Sequence, residues 1–218
     1  MPIEAEREVE QSSGTSLDSP IIDRYVIRKI SGFITGFLVR TPVTPNQVTV
    51  ISLILGLIAA VIFSFGGHTH TITAGLIFFL CIVFDQCDGE VARIKNMETE
   101  FGRSFDIIVD SIVSAAIVAG ITFALYKASG SGFHIIIGLL AITGISISIF
   151  LATYLGKENK TDTGTQEMLD KLNNKDFFYI IMLASVIFNQ MIWFLLIMAV
   201  GTNIFWIVHK IAHRKIAT

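Results

Sequence analysis

Hydrophobic residues in this chain come in long runs rather than in amphipathic stripes. Six runs stand out, at about 45–66, 71–93, 102–126, 132–155, 176–190 and 191–211. A helix needs roughly 20 apolar residues to cross the hydrocarbon core of a bilayer, so the first four runs predict membrane spans. Asn189-Gln190 divides the last two, which predicts a tight outer turn between a short fifth crossing and a sixth. The alternative there is one crossing plus an interfacial helix, for five spans. The expected fold is an all-α integral membrane protein, a six-transmembrane-helix bundle. Residues 20–40 mix apolar positions with four basic ones and are too charged to span. They predict an N-terminal amphipathic helix lying at the interface, its basic face toward anionic headgroups. Thr41 to Pro45 then breaks that helix, with Thr44 capping the next and Pro45 at its first position.

Composition agrees with lipid as the solvent: 52% of the 218 residues are hydrophobic and 16% charged, less charge than a water-soluble domain carries. The net charge of −2 is uninformative, and no nucleic-acid partner is expected. The placement of the cations says more. Arg24, Arg28, Lys29 and Arg40 precede the first run, and Arg93, Lys95 and Arg103 lie between the second and third. Lys157, Lys160, Lys171 and Lys175 lie between the fourth and fifth, and Lys210, Arg214 and Lys215 close the chain, whereas the alternate loops hold only Lys127. Six crossings put every basic loop on one side, which the positive-inside rule makes cytoplasmic. A multi-pass protein of the cell membrane is therefore expected, with both termini and the active site on the cytoplasmic side. Residues 1–18 are polar and lack a signal peptide's basic start and apolar core, so a disordered cytoplasmic tail is expected there. The expected organisation continues with an amphipathic juxtamembrane helix at 19–41, a transmembrane domain at 42–212 and a cytoplasmic C-terminal tail at 213–218. Cys81 and Cys87 lie on one apolar run and cannot pair on a single helix; no zinc spacing occurs.

Four aspartates interrupt the second and third runs: Asp85 and Asp88, then Asp106 and Asp110. An ionised Asp at the centre of a membrane helix costs roughly 2.5–3.5 kcal/mol on insertion scales. Several together call for something that neutralises them, most simply divalent metal near the cytoplasmic helix ends. The i,i+3 and i,i+4 spacings put each pair on one helix face. A chain reversal around Lys95 to Phe101 makes the two helices antiparallel neighbours, with both acidic faces in one cleft. Four carboxylates there suit two hard cations, Mg²⁺ or Mn²⁺. Gly89, Ala92 and Gly102 lower the wall beside the acids so that a flat ring can approach the backbone. Arg93 stands at the mouth, where a guanidinium can hold a diphosphate.

The string Asp85-Gln86-Cys87-Asp88-Gly89-Glu90-Val91-Ala92-Arg93, followed by Gly102, Asp106 and Asp110, resembles the signature of the CDP-alcohol phosphotransferase family, D-x2-D-G-x2-A-R-x8-G-x3-D-x3-D. All eight defining positions are filled at the family's spacing. The resemblance implies metal-dependent transfer of the substituted phosphoryl group of a CDP-alcohol to an acceptor alcohol, with release of CMP, in phospholipid or polyol-phosphodiester biosynthesis. It implies that Asp85, Asp88 and Asp106 bind the metals, and that Asp110 completes the site and acts as general base on the acceptor. Gly89, Ala92, Arg93 and Gly102 would contact the cytidine diphosphate, with Asn46 and Thr49 as a second family element near the nucleotide. Lys171 and Lys175 would serve a phosphorylated acceptor. The string Leu172 to Phe177 and the start of the first span look most like the branch making inositol-type phosphodiesters, although Ser111 follows Asp110 where many relatives carry Arg. Donors of the CDP-diacylglycerol or CDP-inositol type, a lipid bilayer and a homodimer are the implied partners.

A divalent-cation channel or transporter is the rival reading, since intramembrane acids also mark ion paths. It predicts carboxylates spread across the bilayer, whereas these four cluster near one side. A lipid-binding scaffold is a third reading and predicts that nothing is released. The remaining features have ordinary explanations. His209 and His213 sit at a hydrated helix end, and Cys87 fills space near the site.

Overall fold

The computed structural model describes residues 27–155 and 175–216, with side chains over 27–148, at 178 and 179, and over 181–204. The described residues form seven α-helices: α1 (Arg28–Leu38), α2 (Pro45–Phe65), α3 (His68–Ile94), α4 (Glu100–Ser129), α5 (Phe133–Leu155), α6 (Lys175–Ile187) and α7 (Met191–Ile216). The all-α expectation holds, but the six-span bundle does not. Among the described residues, three helices are long and apolar enough to cross a membrane, α2, α3 and α4. For the expected fifth crossing the reason is length. With 21 residues, α2 reaches about 31 Å, which matches a hydrocarbon core of about 30 Å. With 13 residues, α6, the expected fifth crossing, reaches only about 20 Å. The helices α5 and α7 run for 23 and 26 residues, and their described side chains cover apolar stretches of 10–17 residues, Phe133–Ser148 and Met191–Ile204. Counting apolar residues overestimated the fifth run because its last residues belong to a turn. Asn189 takes φ 53°, and the Gln190 amide donates to the Ser185 carbonyl.

Local signals explain where the three spanning helices begin and end. At the start of α2, the Gln47 side-chain oxygen accepts from the Thr44 amide at 2.9 Å, half of a capping box, and Pro45 takes the first helical position. Gly66 and Gly67, at φ 71° and 80°, form the whole link between α2 and α3. The left-handed conformation of both favours glycine. After α3, Asn96 takes φ 53° and the Met97 amide donates back to the Ala92 carbonyl at 2.8 Å, a Schellman-type stop. Thr99 then caps α4: its hydroxyl accepts from the Gly102 amide at 2.9 Å. The link between α3 and α4 is therefore five residues with a defined stop and start.

Two compact units are distinguished. The first comprises Met1–Ile58 and Leu76–Ile112; the second comprises Ala59–Gly75 and Val113–Thr218. In the second, α5 packs along α7, where Asn203 Nδ2 donates to the Leu140 carbonyl at 2.9 Å. A Cβ on Gly120 would collide with the Ala60 carbonyl, so α2 and α4 meet backbone to backbone there. Close approach through small residues is how helices associate when lipid supplies no hydrophobic drive between them. Large apolar side chains lie outward on the spanning helices, among them Ile54, Val61, Leu76 and Ile108. The chain is a multi-pass membrane protein by these helices.

The expected N-terminal helix is α1, shorter than 19–41 among the described residues. The face it buries is polar. Ser31 and Thr35 are its fully buried positions, while Phe33 and Phe37 are exposed at 85% and 70%. The hydroxyls point inward because the Glu90 carboxylate is buried there, and the phenyl rings lie on the exposed face. Residues 1–18, expected as a tail, lie outside the described residues, and α7 continues to Ile216, through most of 213–218.

Candidate metal and nucleotide site

All the acidic positions of the signature lie in the first unit. The short capped link between α3 and α4 turns the chain back, so residues two to three turns before it meet residues a turn or two after it. Ligand oxygens of Asp85, Asp88 and Asp106 all lie within 4.8 Å of one another. Asp88 is buried at 7% exposure; Asp85 and Asp106 are half-buried. Asp110 is half-buried one turn further along α4 and stands outside that group of three. An all-carboxylate donor set is hard and anionic, which fits Mg²⁺ or Mn²⁺ and not a soft metal.

Neighbouring groups orient the acids and shape the wall. Thr49 of α2, 3% exposed, donates from Oγ1 to Asp88 Oδ2 at 2.6 Å. Its hydroxyl is thus spoken for by a carboxylate, a contact that the sequence reading, which assigned Thr49 to the nucleotide, did not foresee. The Arg93 side chain folds back along α3: a Cβ on Gly89 would sit 3.5 Å from Arg93 Nη1. The missing side chain leaves the guanidinium lying over the backbone beside Asp88. On α4, a Cβ on Gly102 would come within 3.1 Å of Thr99 Oγ1 and 3.3 Å of Asn46 Oδ1. Asn46, Gly102 and the α4 cap therefore form one tight corner. Ala92 is half-buried on α3, one turn after Asp88. A hollow of about 300 Å³ opens beside this corner, lined by Asn46, Gln47, Val50, Phe101 and Phe105, with the two phenyl rings stacked at 6.0 Å.

Lys171 and the rest of residues 156–174 lie outside the described residues, as do the side chains of Lys175, His209 and His213. Cys87 is fully buried, its thiol 3.6 Å from the Ser31 carbonyl, and fills space under α1. The sequence reading missed Glu90, which is 2% exposed and hydrogen-bonded to Ser31 and Thr35, and the role of Lys95 beyond its charge. A signal existed for the first: Ser31 and Thr35 are i,i+4 polar residues in a helix whose other face is aromatic.

The profile of the CDP-alcohol phosphatidyltransferases matches residues 42–208, a stretch that contains every residue of the carboxylate group and its corner. The chain belongs to the CDP-alcohol phosphatidyltransferase family. Members of this family are transferases that move a substituted phosphoryl group from a CDP-alcohol to an acceptor hydroxyl and release CMP. Among curated relatives, the bifunctional IPC transferase and DIPP synthase of Thermococcus kodakarensis is 26% identical over 205 residues, 89% of this chain and 46% of that protein. The phosphatidylinositol phosphate synthase of Mycobacteroides abscessus is 28% identical over 172 residues, 78% of this chain and 74% of that protein. The chain thus spans about half the length of the first of these relatives. Its fold is that of the Mycobacterium tuberculosis phosphatidylinositol phosphate synthase. The form of that protein with CDP-DAG bound superposes with a TM-score of 0.65 at 19% identity, covering 81% of this chain and 89% of that one. The form with manganese and citrate also gives 0.65 at 19% identity, covering 80% and 84%. The three-carboxylate group is, by its geometry and donor set, a candidate site for a divalent cation.

Proposed function

We propose that this chain transfers the substituted phosphoryl group of a CDP-alcohol to an acceptor hydroxyl, releasing CMP, with Asp85, Asp88 and Asp106 as the metal ligands. The observation that carries the reading is the meeting of these three carboxylates within 4.8 Å, from two helices, at the family's signature positions. These residues, with Asp110 as a further ligand, would hold two Mg²⁺ or Mn²⁺ ions, whose positive charge would offset the charge of the diphosphate and the departing CMP. Arg93, laid over Gly89, holds diphosphate oxygens by paired hydrogen bonds. Ala92, Gly102, Asn46 and Thr49 border the nucleotide, Thr49 also keeping Asp88 oriented. The acceptor oxygen forms its bond to phosphorus as the bond to the CMP oxygen breaks, and Asp110 takes the hydroxyl proton.

The relatives' names favour an inositol-type pair of substrates. CDP-diacylglycerol or CDP-inositol is the donor class, and inositol phosphate the acceptor class, its phosphate met by Lys171 and Lys175. The chain acts as a homodimer in this reading, by analogy with the family. Arg93, Lys95 and Arg103 lie in and beside the link between α3 and α4, and this basic cluster supports a site facing the cytoplasm. The test is CMP release by the purified protein from CDP-diacylglycerol and CDP-inositol, each with a panel of polyol and polyol-phosphate acceptors. CMP should appear with Mg²⁺ or Mn²⁺, stop with a chelator, and be absent in Asp85→Ala. No CMP from any donor, with cation flux through reconstituted vesicles instead, would sink the reading.

A further inference from the structure

Glu90 lies among the signature residues of α3 but outside the carboxylate group, and it is 2% exposed. Its Oε1 accepts from Ser31 Oγ at 2.8 Å and its Oε2 from Thr35 Oγ1 at 2.7 Å. Both donors are fully buried and sit one turn apart on α1. A carboxylate is kept out of water only where its oxygens are bonded, and here a surface helix meets each oxygen with one hydroxyl. At about 100° per residue, Glu90 points roughly 160° away from Asp88 around α3. On the Asp88 side the holder is Thr49 of α2, at 2.6 Å. Beyond both, Lys95 Nζ donates to the Thr41 and Val43 carbonyls at 2.7 Å each, in the link that joins α1 to α2. The acidic end of α3 is therefore gripped by directional bonds on opposite sides and at its tip.

We propose that Glu90 is a positioning residue: by engaging Ser31 and Thr35 it fixes the rotation of α3 about its axis, so that Asp85 and Asp88 meet Asp106. This rests on the metal-site reading above and adds to it a group that touches neither metal nor substrate. Carboxylate oxygens stand about 5–6 Å from a helix axis, so a 20° rotation displaces them by about 2 Å. Metal–ligand distances tolerate only about 0.2 Å. Apolar packing resists rotation poorly because it has no preferred direction.

The experiment measures Mn²⁺ binding to detergent-purified protein by the spin-resonance signal of the free ion, with thermal unfolding in parallel. The variants are E90Q, E90A and the triple S31A/T35A/E90L. A Gln amide accepts from one hydroxyl and donates to the other, so E90Q should bind Mn²⁺ within about threefold of wild type. E90A and the triple variant, while folded, should bind about tenfold or more weakly, the loss typical when a supporting partner of a metal site is removed. The triple variant replaces every polar member by an apolar one and so retains stability. E90A or the triple variant folded with wild-type affinity would overturn the proposal, and so would E90Q as deficient as E90A. Unfolding of both E90A and the triple variant would make the contact a stability element and overturn the positioning role. Wild type that binds no Mn²⁺ would overturn the metal reading and this inference with it, whereas the other adverse outcomes overturn this inference alone.

Discussion

Thr49→Val removes one oxygen from the site and leaves its shape intact. The lost bond is Thr49 Oγ1 to Asp88 Oδ2, 2.6 Å long, between groups exposed at 3% and 7%. A hydrogen bond to a charged acceptor is worth about 1.5–3 kcal/mol, and burial keeps water from replacing it. At about 1.4 kcal/mol per factor of ten, that is roughly a 10–150-fold effect, if all of it reaches the cation. Supporting partners of metal ligands, measured directly, account for about 10–100-fold. The two ranges agree, so the Mn²⁺ dissociation constant of T49V should rise by roughly 10–100-fold. CMP release measured at saturating Mn²⁺ should recover most of the loss. The Pro45 carbonyl is the alternative acceptor for the same proton, at a longer 3.2 Å within the first turn of α2, and valine does without it at little cost. T49S keeps the donor and should bind as wild type does. A T49V protein that binds Mn²⁺ within about twofold of wild type would refute the claim that this bond holds Asp88 in place.

Gly102→Ala pushes a methyl to 3.1 Å from Thr99 Oγ1 and 3.3 Å from Asn46 Oδ1, so the corner must open. Its KM for the CDP-alcohol should rise with kcat little changed, as expected when binding shared by ground and transition states is lost. Gly120→Ala sets a methyl against the Ala60 carbonyl, which as backbone cannot swing away. It should cost about 1–3 kcal/mol, read as a lower thermal midpoint in detergent, while Gly36→Ala, with nothing within 4 Å, should cost nothing. Asp110→Asn should lower kcat by about 10²–10⁴-fold, the usual worth of a general base. Its Mn²⁺ affinity should fall less than that of D85A, because Asp110, a further ligand, stands outside the group of three. Full turnover in D110N would exclude the base role.

The chemistry of this protein was legible in its sequence because it is carried by residue type at fixed spacing along single helices. Acids at i,i+3 and i,i+4 share a face by helix geometry alone, and Asn96 with Thr99 marks a stop and a start between them. The meeting of Asp85 and Asp88 with Asp106 follows from those local rules. The number of crossings did not follow. An apolar run records that lipid or core surrounds it, but not where the helix ends, and α6 stops at Ile187 because the chain turns at Asn189. Nor could the sequence separate Glu90 from its acidic neighbours. Between residues 85 and 110 the sequence holds four aspartates and three glutamates; only tertiary structure divides them by the partners they face. Asp88 meets a threonine of α2 and the other acids, and Glu90 meets two hydroxyls of α1. Periodicity along one helix tells which residues share a face, whereas the element covering that face is decided by contacts between segments distant in the chain.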